Sequence, residues 1–283
     1  MSTYSVKDSD GAIKYFGSRG TGAIGDPLFT TETPFGLFIA EGLVVNHEQF
    51  DKYGKNDSIG TGTTPEDIWH GGGVYTGFPT GAAETLEIAS SDANDTSAGT
   101  GARTVKITNL IDSTGAEAAD VTVSLNGTTQ VSLGAGTYTR CSRVIVLTAG
   151  SGGANAGTLT LRHTSTTANI FAVMPIGANQ TFILAYTVPL GKTLYLHRIN
   201  VQMSRLSGAA GTSDVSFKAR PFGTDGVFNT IISPTITDSS HYTFENNGYK
   251  IFTARTDIKF SVDSVSDNST VVSGDLGGFI IAD

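Results

Sequence analysis

Three stretches, Glu84-Thr-Leu-Glu-Ile-Ala89, Arg103-Thr-Val-Lys-Ile-Thr108 and Asp120-Val-Thr-Val-Ser-Leu125, alternate apolar with polar residues. That period of two is typical of β-strands with one buried face. Asn126-Gly127 follows the third stretch directly, and this dipeptide is the strongest short-range signal for a hairpin turn. The sequence therefore predicts an antiparallel sandwich over residues 83–163.

The same succession of apolar runs and turn signals continues to the end of the chain. Apolar runs within residues 180–188, 192–204, 214–221, 258–263 and 278–282 are separated by turn signals such as Pro189-Leu-Gly191. Strands at this spacing favour a sandwich or jelly roll. We predict a second, jelly-roll-like β-sandwich over residues 164–283. Whether the two sandwiches are separate or form one continuous domain stays open.

Residues 1–82 have a different character, with half of the prolines and many glycines but no apolar periodicity. We predict an irregular N-terminal arm that attaches to a neighbouring surface. Inside it, Thr64-Pro65-Glu66-Asp67 resembles a helix start, with a capping hydroxyl followed by proline and a carboxylate. A short helix is therefore expected through Trp69, and Gly71-Gly72-Gly73 would end it.

Composition excludes several classes of partner. The 18 Lys and Arg residues are outnumbered by 26 Asp and Glu, which gives a net charge of −8. Because nucleic-acid binding depends on clustered cations, we exclude nucleic acid as the main partner. No apolar stretch approaches the roughly 20 residues that span a bilayer, so no membrane partner is expected. The first residues carry no apolar core, which predicts no secretory signal.

Three short motifs match catalytic or nucleotide-binding signatures, but each lacks the neighbouring residues that the signature requires. His70-Gly-Gly-Gly73 matches the oxyanion-hole motif of lipases, but the sequence contains no Gly-x-Ser-x-Gly elbow. Gly20-Thr-Gly-Ala-Ile-Gly25 runs into Asp-Pro instead of a helix, and Gly191-Lys-Thr193 lacks the first glycine of a P-loop. We assign no oxyanion hole to the first motif, and we predict a flexible or tightly turned arm at the second and a hairpin turn at the third. No catalytic, cofactor-binding or metal-binding residue is assigned, and we expect neither enzymatic activity nor a cofactor.

Single residues give two further expectations. Cys141 is the only cysteine, which excludes an internal disulfide, and a structural, semi-buried thiol is expected. Trp69 is the only tryptophan. We consider it an interface anchor, because tryptophan is enriched at binding hot spots, with burial at the base of a sandwich as an equal alternative.

Four stretches resemble segments of virion structural proteins of tailed bacteriophages. They are Gly60-Thr-Gly-Thr-Thr-Pro-Glu-Asp-Ile-Trp-His-Gly-Gly-Gly-Val-Tyr-Thr-Gly-Phe-Pro79, Gly99-Thr-Gly-Ala-Arg-Thr-Val-Lys-Ile-Thr108, Ala149-Gly-Ser-Gly-Gly-Ala-Asn-Ala-Gly-Thr-Leu-Thr160 and Tyr186-Thr-Val-Pro-Leu-Gly-Lys-Thr-Leu-Tyr195. The resemblance implies a structural role in the virion, which assembles in the host cytoplasm. It implies no catalytic residues.

Within that group, a capsid decoration or cement protein is the leading expectation, bound as a homotrimer to the major capsid protein or to other virion proteins. The alternative is a tail or fibre component, either an adaptor or a receptor-binding appendage whose loops contact a host glycan. Tyr242, Phe244 and Tyr249 are its candidate sugar-stacking residues, with core packing as the competing explanation. A secreted glycan hydrolase is a third class, but the sequence offers no candidate pair of carboxylates.

Overall fold

A computed structural model describes residues 3–7, 13–19, 29–32, 35–205, 211–223 and 226–283. The chain divides into two compact units, Met1–Gln49 and Phe50–Asp283. Its regular structure is almost entirely antiparallel β-strand, which confirms the predicted fold class. No helix in the described part of the chain is long and apolar enough to cross a membrane.

The first unit contains a small antiparallel sheet in the order β1-β2-β3, formed by β1 (Thr3–Lys7), β2 (Ile13–Arg19) and β3 (Phe29–Glu32). Helix α1 (Phe35–Ala40) follows. The Gly-rich motif at residues 20–25 lies outside the described residues. This region was expected to be irregular, whereas its described residues include these three strands and the short helix.

The rest of the chain is built from short and long strands joined by turns. In order they are β4 (His47–Ile59), β5 (Glu66–Asp67), β6 (Leu86–Ser90), β7 (Ala102–Thr108), β8 (Leu110–Ile111), β9 (Glu117–Ala118), β10 (Val121–Ser124), β11 (Val131–Ser132), β12 (Arg143–Ala149), β13 (Leu159–His163), β14 (Ile170–Met174), β15 (Ala185–Thr187), β16 (Lys192–Arg205), β17 (Thr212–Pro221), β18 (Asn229–Ile232), β19 (Thr235–Thr237), β20 (His241–Phe252), β21 (Thr256–Val265) and β22 (Thr270–Ala282).

The first sandwich pairs a sheet of order β10-β7-β12 with a sheet of order β11-β6-β13-β14. The third alternating stretch forms the edge strand β10, and the first two form β6 and β7, which lie inside their sheets. Their apolar residues, such as Leu86 and Ile88 on β6 and Val105 and Ile107 on β7, are at most 1% exposed and share one core. Alternation predicted these strands because each has one face in the core and one in solvent.

The predicted turn at Asn126-Gly127 is present, but the predicted hairpin is not. Gly127 has a φ of 62°, and the Thr129 amide donates to the Asn126 carbonyl over 3.1 Å. The flanking strands then part, since β10 pairs with β7 and β11 pairs with β6. The turn therefore carries the chain from one sheet of the sandwich to the other.

The second sandwich packs a sheet of order β15-β21-β17-β18 against one of order β20-β16-β22-β4. Strands β5 and β19 extend the first of these by pairing with β21 and β17. Phe217, Phe260, Leu196, Val201 and Leu276 are among the side chains at most 1% exposed in the shared core. Burial of such side chains is the main favourable term in the stability of the sandwich.

Residues 50–69 contribute to these cores, although the sequence placed them in the arm. Phe50, Ile59 and Ile68 lie in the second core and Trp69 lies in the first. Strand β14, which lies beyond the predicted boundary at residue 163, pairs with β13 of the first sandwich.

The prediction of a helix at residues 64–69 is wrong, because strand β5 occupies Glu66–Asp67. The side chains that suggested a helix cap have remote partners. The carboxylate of Asp67 accepts hydrogen bonds from Ser261 Oγ at 2.6 Å and Lys259 Nζ at 2.8 Å, and that of Glu66 accepts one from Asn56 Nδ2 at 2.9 Å. These contacts hold the segment extended against β21.

A buried ion-pair network joins the two sandwiches. The Asp257 carboxylate on β21 is inaccessible to solvent and accepts from Arg140 Nε at 3.0 Å and from Arg140 Nη2 at 2.9 Å. Arg220 Nε and Thr187 Oγ1 donate to the same carboxylate at 3.1 and 2.6 Å. Because Arg140 belongs to the first sandwich and Asp257 to the second, the two are fixed to each other.

Candidate functional site

The outer face of the β20-β16-β22-β4 sheet carries the most distinctive surface of the second unit. A β-bulge interrupts β16 between Leu196 and Arg198, in its pairing with both β20 and β22. As a result His197 and Arg198 both lie on the outer face, while Leu196 and Ile199 remain buried in the core. The bulge divides the outer face into a polar half and an aromatic half.

The polar half is an open groove of about 700 Å³, which we call the outer-face groove. Its floor is a network of planar side chains on β16 and β22. Arg198 Nε donates to Asp275 Oδ2 at 3.0 Å, Asn200 Nδ2 donates to Asp275 Oδ1 at 3.0 Å, and Gln202 Nε2 donates to Ser273 Oγ at 3.0 Å. Rigid strands therefore hold several donors and acceptors in a fixed array.

Two aromatic rings from other segments also line the groove, Tyr53 of β4 and Phe182 of the loop before β15. Their centroids are 6.1 Å apart, and the Arg143 guanidinium lies 5.5 Å from the Tyr53 centroid. His70 makes an edge contact with Phe182 at 5.1 Å, and its Nε2 lies 3.2 Å from Asp57. Burial lowers the pKa of His70 against the opposing effect of Asp57, which favours the neutral form of the ring.

The other half of the face is the aromatic patch, formed by Tyr195, His197, Tyr249, Ile251 and Phe279. Ile251, Tyr195 and Phe279 are cross-strand neighbours on β20, β16 and β22. Ring centroids lie 5.4 Å apart for His197–Phe279 and 6.1 Å apart for Tyr195–Tyr249. Tyr249 is 48% exposed and Ile251 57% exposed, so the patch offers apolar surface to solvent.

Trp69 does not lie on this face. Its ring is 3% exposed, packs edge-on against Tyr75 with centroids 5.1 Å apart, and donates from Nε1 to the Gly73 carbonyl at 3.1 Å. This placement favours the alternative in which Trp69 fills the base of the first sandwich. Interface anchoring by Trp69 stays a prediction that only a binding measurement tests.

The three candidate sugar-stacking residues are separated by the structure. Tyr242 and Phe244 are partly buried against the second core, whereas Tyr249 belongs to the aromatic patch. The aromatic residues in the groove are Tyr53 and Phe182 instead, and sequence reasoning missed both.

The sequence motifs form turns where they are described. Gly72 and Gly73 have φ values of 67° and 63°, and the Gly73 amide donates to Glu66 Oε2 at 2.9 Å. Gly191 has a φ of 73° in the turn before β16. No group of three or more His, Cys, Asp or Glu side chains that could hold a metal occurs among the described residues.

Two buried titratable groups lie side by side in the second unit. Cys141 is 1% exposed and therefore more deeply buried than the semi-buried thiol expected from the sequence, and burial raises its pKa to about 12. Lys52 is 4% exposed and donates from Nζ to the Ser142 carbonyl. Burial, and then the charge of Arg143, lower the pKa of Lys52 to about 7.

No protein-family model and no curated protein sequence matches the chain. Among solved structures, it is distantly similar to the C-terminal family 22 carbohydrate-binding module of Clostridium thermocellum Xyn10B, with 15% identity and a TM-score of 0.25 over 48% of this chain and 78% of that one. The infectious bursal disease virus Gt strain structure gives 11% identity and a TM-score of 0.23, and the VP2 subviral particle of the same virus gives 10% and 0.21. Each of the two covers 88% of this chain and 78% of its own. These neighbours are β-rich, and likenesses this low assign no family and no function.

Proposed function

We propose that this chain is a non-enzymatic structural protein of a virus particle. More narrowly, we propose a decoration or cement protein on the outer shell of a tailed-phage capsid. The aromatic patch is the observation that carries the proposal. Exposed apolar surface on a rigid sheet is typical of protein–protein contacts, where aromatic side chains are enriched.

The construction of the second unit supports the same role. Strands β16 and β22 pair over thirteen residue positions, and the Asp257 network fixes the two sandwiches to each other. A rigid body loses little conformational entropy on docking, which favours contacts repeated around a symmetric shell. The proposed partners are the major capsid protein or other virion proteins, with the chain as a homotrimer, and the proposed location is the virion after assembly in the host cytoplasm.

The proposal is tested by placing a charge in the patch. Ile251→Asp should fold normally, because the side chain is 57% exposed, but should fail to enter particles assembled in cells that make the variant. Leu147→Asp, at a position 50% exposed on the first sandwich, is the matched control and should enter normally. Equal incorporation of both variants into particles would show that the aromatic patch is not the attachment surface.

A tail or fibre component is the second candidate, and the outer-face groove favours it. A groove with planar polar side chains and two aromatic rings is suited to a small ligand, as a receptor-binding appendage requires. Gold-labelled antibody distinguishes the candidates. Label along the shell supports decoration, whereas label confined to the tail supports this alternative.

A further inference from the structure

We propose that the outer-face groove binds a neutral oligosaccharide, with Tyr53 and Phe182 as stacking residues and the Arg198–Asn200–Asp275 network as the polar floor. This inference goes beyond the structural role, because it concerns a ligand site on the isolated chain. It holds equally for a shell or a tail location. Its support comes from the charges, the rings and the geometry of the groove.

The charge balance of the groove selects a neutral ligand. Arg198 is paired with Asp275 at 3.0 Å, and Lys55 is paired with Asp57 at 2.6 Å. An anionic ligand would have to compete with these carboxylates for each cation. Asp51 adds a negative charge to the lining, and the Arg143 guanidinium, 5.5 Å from the centroid of the Tyr53 ring, adds a positive one. The groove therefore offers no net positive charge to phosphate, sulfate or sialic acid.

The rings select a ligand that has an apolar face as well as hydroxyl groups. Tyr53 is 38% exposed, so part of its surface is available to a ligand. The face of an aromatic ring is negative, and the C–H bonds of a pyranose face are weakly positive, so the two attract. The Arg143 guanidinium at 5.5 Å from Tyr53 and the His70 edge at 5.1 Å from Phe182 hold both rings in place before a ligand arrives.

The floor supplies hydroxyl recognition with little reorganisation. Asp275 receives hydrogen bonds from Arg198 and Asn200, which fixes the carboxylate plane. Gly277 contributes by lacking a side chain, since a Cβ there would lie 3.1 Å from Arg198 Nη2. Fixed planar donors and acceptors form paired hydrogen bonds with adjacent sugar hydroxyls at a low entropic cost. The groove volume of about 700 Å³ falls within the range of about 300–1,000 Å³ for small-ligand sites.

The experiment uses the full chain, fluorescently labelled, on an array of neutral oligosaccharides of glucose, mannose, galactose and N-acetylglucosamine, with sialylated and sulfated glycans alongside. We expect binding to at least one neutral glycan, and the affinity is then measured by calorimetry. Binding of no glycan, or of anionic glycans alone, would overturn the proposal.

Variants then place the binding in the groove. Tyr53→Ala should weaken binding by about 10-fold or more, since aromatic anchors dominate such sites. Tyr53→Phe keeps the ring and should bind normally, whereas Arg198→Met should also weaken binding. Leu147→Ala, outside the groove, is the control. Unchanged affinity in both Tyr53→Ala and Arg198→Met, with melting temperatures showing folded protein, would refute the site. Particle incorporation plays no part in these measurements, so the two proposals fail independently.

Discussion

Replacing Trp69 by alanine is expected to lower the free energy of unfolding by about 3–5 kcal/mol, the usual cost of removing a buried aromatic side chain. The ring is 3% exposed and belongs to the first core. Its edge contact with Tyr75 at 5.1 Å adds about 0.5–1.5 kcal/mol to simple burial, which favours the upper half of that range. The Gly73 carbonyl keeps a donor, the Asp67 amide at 2.9 Å, so no unpaired acceptor adds to the cost.

A second substitution shows whether the ring acts as described. A Cβ built on Gly71 overlaps the Trp69 ring, so Gly71→Ala should cost about 1–3 kcal/mol by overpacking. In the Trp69→Ala background the same change meets an empty space and should cost under about 0.5 kcal/mol, which is the non-additivity expected of residues in contact.

Chemical denaturation followed by circular dichroism measures all four proteins, because the signal does not depend on the tryptophan. In the wild type, tryptophan emission should already be blue-shifted in the isolated chain. The reasoning fails if Trp69→Ala costs less than about 1 kcal/mol, or if Gly71→Ala costs the same in both backgrounds.

Three further predictions follow from the second unit. Removing residues 1–49 should leave a β protein that unfolds cooperatively. Removing residues 1–78 should abolish cooperative unfolding, because this deletion takes four core side chains with it, those of Phe50, Ile59, Ile68 and Trp69. Cooperative unfolding of the chain that lacks residues 1–78 would contradict this prediction. Asp257→Asn should lower the free energy of unfolding by about 3–5 kcal/mol, because it leaves the buried guanidinium groups of Arg140 and Arg220 without their charge partner. The control Asp120→Asn, in an exposed pair with Lys106, should cost under about 1 kcal/mol. Equal losses for the two variants in chemical denaturation would count against the buried network. The pKa of Lys52 is about 7 in the folded chain and 10.5 for an ordinary lysine, which represents the unfolded chain. Between pH 7 and 10.5 the unfolded chain therefore binds more protons than the folded chain. The contribution of Lys52 to stability should rise with pH over this range, by at most about 1.4 kcal/mol per pH unit. Urea denaturation at pH 7 and 9, with Lys52→Met as reference, should show that rise, and a difference independent of pH would contradict it.

The sequence predicted strands wherever apolar residues face the core and polar residues face solvent, as on β6, β7 and β16. It missed β4, because that strand turns Lys52, Gly54 and Asn56 inward and Tyr53 outward. Between the buried Phe50 and Ile59, its pattern is therefore inverted relative to an ordinary half-buried strand. Only partners elsewhere in the chain, such as the Ser142 carbonyl for Lys52, make the inward polar groups acceptable.

The groove could not be predicted for a related reason. Its rings and polar floor come from four separate segments, represented by Tyr53, Phe182, Arg198 and Asp275. No local spacing links these residues, and the β-bulge beside Arg198 has no reliable sequence signal. The predictions of a virion role, of a trimer and of capsid partners stay predictions, because they concern other molecules.

The number of copies in purified virus particles tests the central claim most directly. Quantitative mass spectrometry of the particles, calibrated against the major capsid protein, gives this number. A decoration protein that follows the shell symmetry should be present in roughly hundreds of copies. About a dozen copies or fewer would contradict shell decoration, and absence from the particle would contradict a structural role in the virion altogether.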